Sequence, residues 1–228
     1  MKFSQPSNRE TPDPQQPDAQ EVFEEVRYEA AQASTDMVVE ALQEAAEGQI
    51  GPTAHPPRPG WLIFCPHRMV DSVAEVQSAE LKAQGIQGVI LDLDNTLVLW
   101  HQEEMTAEIT IWLEELKAAG LKLCILSNSV LGSRSQRIAE RIGCAFVRQA
   151  AKPSRQGFRK AMQAMETDPA VTAIVGDQMF TDILGGNRSG IYTIMVKPMH
   201  VHEFTYTRYV SRPPERLLMG WFRRKGHL

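Results

Sequence analysis

The chain has little from which to build a disulfide framework. Among 228 residues there are three cysteines, Cys65, Cys124 and Cys144, an odd number with no Cys-x-x-Cys spacing. Cys124 and Cys144 sit inside apolar runs and read as small buried hydrophobes in a reducing compartment. No apolar run approaches the ~18 residues of a membrane-spanning helix. The N-terminus is polar and acidic, which argues against a secretory signal and against an organelle transit peptide. A cytoplasmic protein is expected. Dense Lys/Arg stripes with interleaved aromatics are missing outside the last residues, so no nucleic-acid partner is expected.

What is present suits one globular domain with extensions. The hydrophobic content of 43% is ordinary for a folded core. Net charge is −4, unevenly spread. Residues 1–50 hold three basic residues (Lys2, Arg9, Arg27) against eleven acidic ones, a net of −8, which leaves the remainder at +4. Residues 1–20, rich in Pro, Gln and Asp, are expected to be disordered. From Asp18 to about Glu47 a thin, Ala-rich stripe predicts a marginal helix, opened by an Asp18/Glu21 capping box. Gly51 to Gly60 carries four prolines and reads as a linker. The division is therefore an acidic extension over 1–59, a folded domain over 60–200 and a basic amphipathic tail over 201–228.

Beyond the linker, strand and helix alternate. Strands are expected at 89–91, 121–126, 144–148, 171–175 and 192–196, with a short apolar piece at 61–65. Helices are expected at 73–84, 106–119, 133–142, 154–166 and 180–188. This rhythm predicts an α/β fold with a doubly wound parallel sheet and right-handed crossovers.

The stretch Gly88 to Leu97 organises the chain. Val89, Ile90 and Leu91 read as a buried parallel strand that ends in Asp92 and Asp94. If the extended geometry continues, both carboxylates point to one side, where they repel unless a cation or a shared proton intervenes. A solvated, Asx-capped turn is the plainer alternative for this pair taken alone. Ser127 with Asn128, Lys152, and Asp177 with Asp182 fall at or just past the ends of other expected strands. In open parallel sheets that edge is where ligands bind. Strand-end carboxylates are hard oxygen ligands suited to Mg²⁺. Ser127 can donate to a phosphoryl oxygen, Lys152 supplies a point charge, and one carboxylate can attack phosphorus.

Those residues carry a family resemblance. Asp92-Leu-Asp-Asn-Thr96 resembles the first motif of the haloacid dehalogenase (HAD)-like phosphatases. Ser127-Asn128 resembles the second motif, Lys152-Pro153 the third, and Gly176-Asp177-Gln-Met-Phe-Thr-Asp182 the fourth. The wording from Gly176 to Val196 is similar to the YqeG-like subfamily, whose relatives include the mitochondrial phosphatidylglycerophosphate phosphatase. The resemblance implies Asp92 as nucleophile and Asp94 as general acid, then base. It places Mg²⁺ on Asp92, the Asp94 backbone carbonyl and Asp177, with phosphate held by Ser127, Asn128 and Lys152. Asp182 could ligate the metal, orient a water ligand or hold Lys152, and these stay open.

The short gaps between motifs leave room for one helix each and for no lid domain. An open, capless site should admit a phosphate carried on something large. The tail points to a lipid: residues 203–228 hold six basic residues (Arg208, Arg212, Arg216, Arg223, Arg224, Lys225) among Leu217, Leu218, Met219, Trp221 and Phe222. That composition suits an anionic membrane surface or, alternatively, a helix packed on the domain. The expectation is dephosphorylation of phosphatidylglycerophosphate to phosphatidylglycerol by a cytoplasmic, peripherally membrane-associated enzyme. A phosphatase of proteins, nucleic acids or small metabolites, and a silent HAD-fold scaffold, are the alternatives. His200 with His202 and Cys65 with His67 lack supporting neighbours, and the Asn187-Arg-Ser189 sequon has no use in a cytoplasmic protein.

Overall fold

The computed structural model describes residues 55, 60–99, 102–129, 132–199 and 212–226. The acidic extension up to residue 54, its expected helix and most of the linker lie outside the described residues, as do His200, His202 and Arg208.

Six parallel strands form one sheet: β1 (Arg68–Val70), β2 (Gly88–Leu91), β3 (Lys122–Leu126), β4 (Ala145–Val147), β5 (Thr172–Gly176) and β6 (Tyr192–Val196). Their spatial order is β1-β6-β5-β2-β3-β4. β2 lies between β3 and β5, paired in register Ile90↔Cys124 and Ile90↔Ile174. All four of its residues are buried, as a continuous apolar run requires when both sheet faces are covered.

Alternate strand residues divide the core in two. Val89, Leu91, Leu123, Ile125, Ala173, Val175, Ile194 and Val196 pack with α1 (Ser78–Ala83), α2 (Ala107–Ala118) and α3 (Gly132–Ile142). Ile90, Cys124, Leu126 and Ile174 pack instead with α4 (Arg155–Met165), through Phe158, Ala161, Met162 and Met165. The doubly wound expectation is what the sheet displays.

Local chemistry sets the helix bounds. Thr106 Oγ1 caps α2 by accepting from the Ile109 amide at 3.3 Å, and Gly120 follows its end at φ +83°, a conformation that costs glycine little. Ile109, Trp112, Leu113 and Leu116 bury one face of α2. Ser154 Oγ caps α4 through the Gln156 amide at 3.3 Å.

Two expectations need correction. The helix expected over 73–84 is broken into a 3-10 turn (Val73–Glu75) and α1. Between them Val76, with ψ 85°, turns its carbonyl to accept from Trp112 Nε1 at 2.8 Å. β1 was not foreseen, because a three-residue edge strand shows no period of its own.

The C-terminal helix α6 (Arg212–Arg224) is packed on the domain. Met219 and Phe222 join Ile63, Phe64, Met179, Ile183, Leu184 and Met195 in a third cluster. Phe222 is fully buried, which contributes on the order of 2 kcal/mol. The ends Arg223, Arg224 and Lys225 remain exposed, and Trp221 lies against the half-exposed Trp61 with ring centroids 5.0 Å apart. Cys65 and Cys124 are buried and Cys144 is half-buried. Burial pushes the Cys124 thiol up to about 12 and the Cys144 thiol up to about 11, so both behave as apolar filling. No helix among the described residues is long and apolar enough to cross a membrane.

Candidate active site

The chain moves from β2 outward to β3 and β4, then returns to the other side of β2 as β5. The reversal opens a crevice at the carboxyl ends of β2 and β5, where open parallel sheets bind ligands. Asp92 follows β2 and Asp177 follows β5, so both stand at this crevice. The Asp92 amide still donates to the Val175 carbonyl at 2.9 Å, which fixes its backbone one step past the strand.

Extended geometry stops there. Asn95 adopts φ +62°, its amide donates to the Val98 carbonyl at 2.8 Å, and the Leu97 amide returns to the Leu93 carbonyl at 2.9 Å. Asn tolerates this left-handed conformation better than most residues. The turn begins one residue past Asp94, and the two carboxylates take different partners. Asp92 is directed to Lys152, and Asp94 to Arg134 on α3.

Lys152 joins two acids. Its Nζ donates to Asp92 Oδ1 at 2.5 Å and to Asp182 Oδ1 at 2.7 Å, and all three side chains are buried. Burial alone would lower the Lys152 pKa, but the charges of Asp182 and Asp92 outweigh it and hold the ammonium above its ordinary value. Burial pushes Asp182 up to about 6, against the pull of the Lys152 charge. The lysine remains cationic, and Asp182 is the member that takes up a proton on acidification.

Asp92, Asp177 and Asp182 each place a carboxylate oxygen within 4.8 Å of the others. Asp92 Oδ2 is buried with no hydrogen-bond partner among the described residues. One ammonium against three buried carboxyls leaves negative charge unbalanced. The donor set therefore fits a hard divalent cation.

Asp182 reaches this cluster through a wide π-helical turn, Met179–Ile183, which precedes α5 (Leu184–Arg188). Its Oδ2 accepts from the Gln178 amide at 3.1 Å. A Cβ on Gly176 would lie 2.5 Å from the Asp182 carboxyl, so only glycine lets the acid fold back over the end of β5. The spacing Gly176-Asp177 to Asp182 thus has a steric cause.

Ser127 follows β3 and is buried. Its Oγ accepts from the Ser129 amide at 3.1 Å, which leaves the hydroxyl proton available to a ligand oxygen. Asn128, expected at the phosphate, stands beside Ser127, and its side chain binds the Lys152 backbone. Oδ1 accepts from the Lys152 amide at 2.8 Å, and Nδ2 donates to the Lys152 carbonyl at 3.2 Å. Its amide holds the backbone under the lysine. Sequence reasoning missed Arg134 altogether. The signal was present as Arg134, Arg137 and Arg141 at helical spacing, with Glu103 and Glu104 upstream.

The haloacid dehalogenase-like hydrolase family matches residues 13–190, starting within the acidic extension. The chain is 36% identical over 166 residues to the "Probable phosphatase YqeG" of Bacillus subtilis, covering 73% of this chain and 95% of that protein. It is 27% identical over 168 residues to the chloroplastic/mitochondrial phosphatidylglycerophosphate phosphatase 1 of Arabidopsis thaliana, covering 70% of this chain and 48% of that one. To the chloroplastic phosphatidylglycerophosphate phosphatase 1 of Chlamydomonas reinhardtii it is 32% identical over 146 residues, covering 60% of this chain and 54% of that one. It spans about half of each of these two proteins. The extent of the family match and the near-complete span of the bacterial relative agree with the carboxylates and lysine gathered at the crevice: the chain belongs to the haloacid dehalogenase-like hydrolases and is an enzyme of phosphatase type.

Proposed function

We propose that this enzyme is a Mg²⁺-dependent phosphomonoester hydrolase that works through an aspartyl-phosphate on Asp92. Its proposed substrate is phosphatidylglycerophosphate, dephosphorylated to phosphatidylglycerol at a membrane surface. The observation that carries the chemistry is Asp92 itself, with Oδ1 held by Lys152 and Oδ2 buried at the crevice without a hydrogen-bond partner among the described residues. Oδ2 attacks phosphorus; the new O–P bond forms as the ester P–O bond breaks, and Asp94 gives its proton to the departing alkoxide. Asp94 then takes a proton from water, whose oxygen attacks the same phosphorus and frees Asp92 and phosphate. Ser127 and Lys152 donate to the phosphoryl oxygens, and Asn128 keeps Lys152 in place. Mg²⁺ bound by Asp92, Asp177 and Asp182 would offset charge on the transferring group. Asp182 thereby serves both Lys152 and the metal.

The lipid substrate rests on two supports. α2 alone lies between β2 and β3, and α3 alone between β3 and β4, so among the described residues no lid encloses the crevice. Two relatives carry the phosphatidylglycerophosphate phosphatase name, at 27% and 32% identity. The test is phosphate release from phosphatidylglycerophosphate in mixed micelles against soluble phosphomonoesters, with Mg²⁺ or with chelator. Fastest release from the lipid, lost on chelation, is expected. Preference for a soluble ester would sink the lipid substrate; inertness towards every phosphomonoester with metal present would sink the phosphatase chemistry. Thermal stabilisation by Mg²⁺ should fade as pH falls through about 6, because protons compete for Asp182.

Membrane docking through α6 is part of the same proposal. Deleting the tail would remove Met219 and Phe222 from the core, so charge removal is the cleaner test. Arg223, Arg224 and Lys225 changed together to Gln should weaken binding to anionic vesicles by about 3 kcal/mol, roughly two orders of magnitude. Hydrolysis of a soluble aryl phosphate should be unchanged. Unaltered vesicle binding would leave α6 as packing alone.

A further inference from the structure

Three arginines on one face of α3, Arg134, Arg137 and Arg141, contact Leu99 and residues 102–104, beyond the turn at Asn95. Arg141 Nη1 reaches Glu104 Oε1 at 3.4 Å, and its Nη2 donates to the Glu103 carbonyl. Arg137 pairs with Glu103. These outer two are exposed pairs, of a kind that contributes little to stability. Arg134 differs, being 8% exposed. Its Nε donates to the Gln102 carbonyl at 3.0 Å, and Nη2 reaches Gln102 O at 2.5 Å and Leu99 O at 3.4 Å. The same Nη2 donates to Asp94 Oδ1 at 2.8 Å.

We propose that Arg134 is the positioning residue for Asp94. It fixes the carboxyl beside the Leu99 and Gln102 carbonyls so that the proton to be transferred meets the leaving oxygen. A planar guanidinium holds two carbonyls and a carboxylate in one fixed arrangement; an ammonium lacks that fork and an amide has only two N–H donors. Placement matters at this position because Asp94 lies beyond the end of β2, at the entrance to the turn, and its side chain is more open than that of Asp92. The guanidinium charge also offsets the negative charge left on Asp94 once the proton has moved. This inference rests on the acid role given to Asp94 above.

The test uses the full chain with Mg²⁺ and measures phosphoenzyme formation in single turnovers. The substrates are phosphatidylglycerophosphate in micelles, which leaves as an alkoxide, and p-nitrophenyl phosphate, which needs no proton. Arg134→Gln should slow the alkyl reaction by about tenfold or more and the aryl reaction by less than about threefold. Arg134→Lys, which keeps the charge and loses the fork, should fall between Gln and the native enzyme; it also serves if the Gln variant does not fold. Asp94→Asn should make Arg134→Gln silent in the double variant, since the two act through one proton. Arg137→Gln and Arg141→Gln should leave the alkyl-to-aryl ratio unchanged. Equal loss on both substrates in Arg134→Gln, with Asp94→Asn still selective for the alkyl ester, would overturn the inference alone. No selectivity in Asp94→Asn would overturn the acid reading and the inference with it.

Discussion

Asp92→Asn should reduce turnover of every phosphomonoester by about four orders of magnitude or more, while the protein stays folded. The amide has the shape of the carboxylate, and its oxygen can still accept from Lys152. Lys152 also keeps Asp182 at 2.7 Å, so no buried cation is left alone. The sheet around it is untouched, since the backbone bond from residue 92 to Val175 does not involve the side chain. What disappears is the charge on Oδ2 that attacks phosphorus. At ~1.4 kcal/mol for each factor of ten, the loss amounts to about 5.5 kcal/mol of barrier. Rates within a hundredfold of the native enzyme, in protein with native melting behaviour, would withdraw Asp92 as nucleophile.

The second large effect belongs to Asp94, and it depends on the leaving group. An alkoxide from phosphatidylglycerophosphate needs a proton as it departs; a nitrophenolate does not. Asp94→Asn should slow phosphoenzyme formation from the lipid by about 10²–10⁴-fold and leave the aryl ester much less affected. Loss of the base still slows hydrolysis of the intermediate, so the aryl ester should give a burst followed by slow turnover. Equal loss on both esters, without a burst, would assign Asp94 to the metal or the fold.

Much of this architecture was legible in the chain. The apolar run Val89–Leu91 reads as a strand buried on both faces, and the helices after Thr106 and Ser154 announce themselves by cap and period. The strand-end positions of Asp92, Ser127, Lys152 and Asp177 follow from the same reading. Other features had no local signal. β1 is three residues long, and the π-helical turn that carries Asp182 spans too few residues to show a period. The grip of Asn128 on Lys152 joins residues 24 apart and leaves no local pattern. The Asp94–Arg134 pair spans 40 residues and depends on how the first turn of α3 leans over the Asn95 turn. Pattern reading places residues on elements; contacts between loops arise only when the elements pack.

The most direct measurement is to quench Asp94→Asn in acid during turnover of p-nitrophenyl phosphate and locate covalent phosphate by peptide mass spectrometry. The intermediate should accumulate in this variant, and the phosphoryl group should sit on Asp92, disappearing when Asp92→Asn is added. A phosphoryl group on another residue, or continued turnover with no covalent phosphate at any time, would contradict the account.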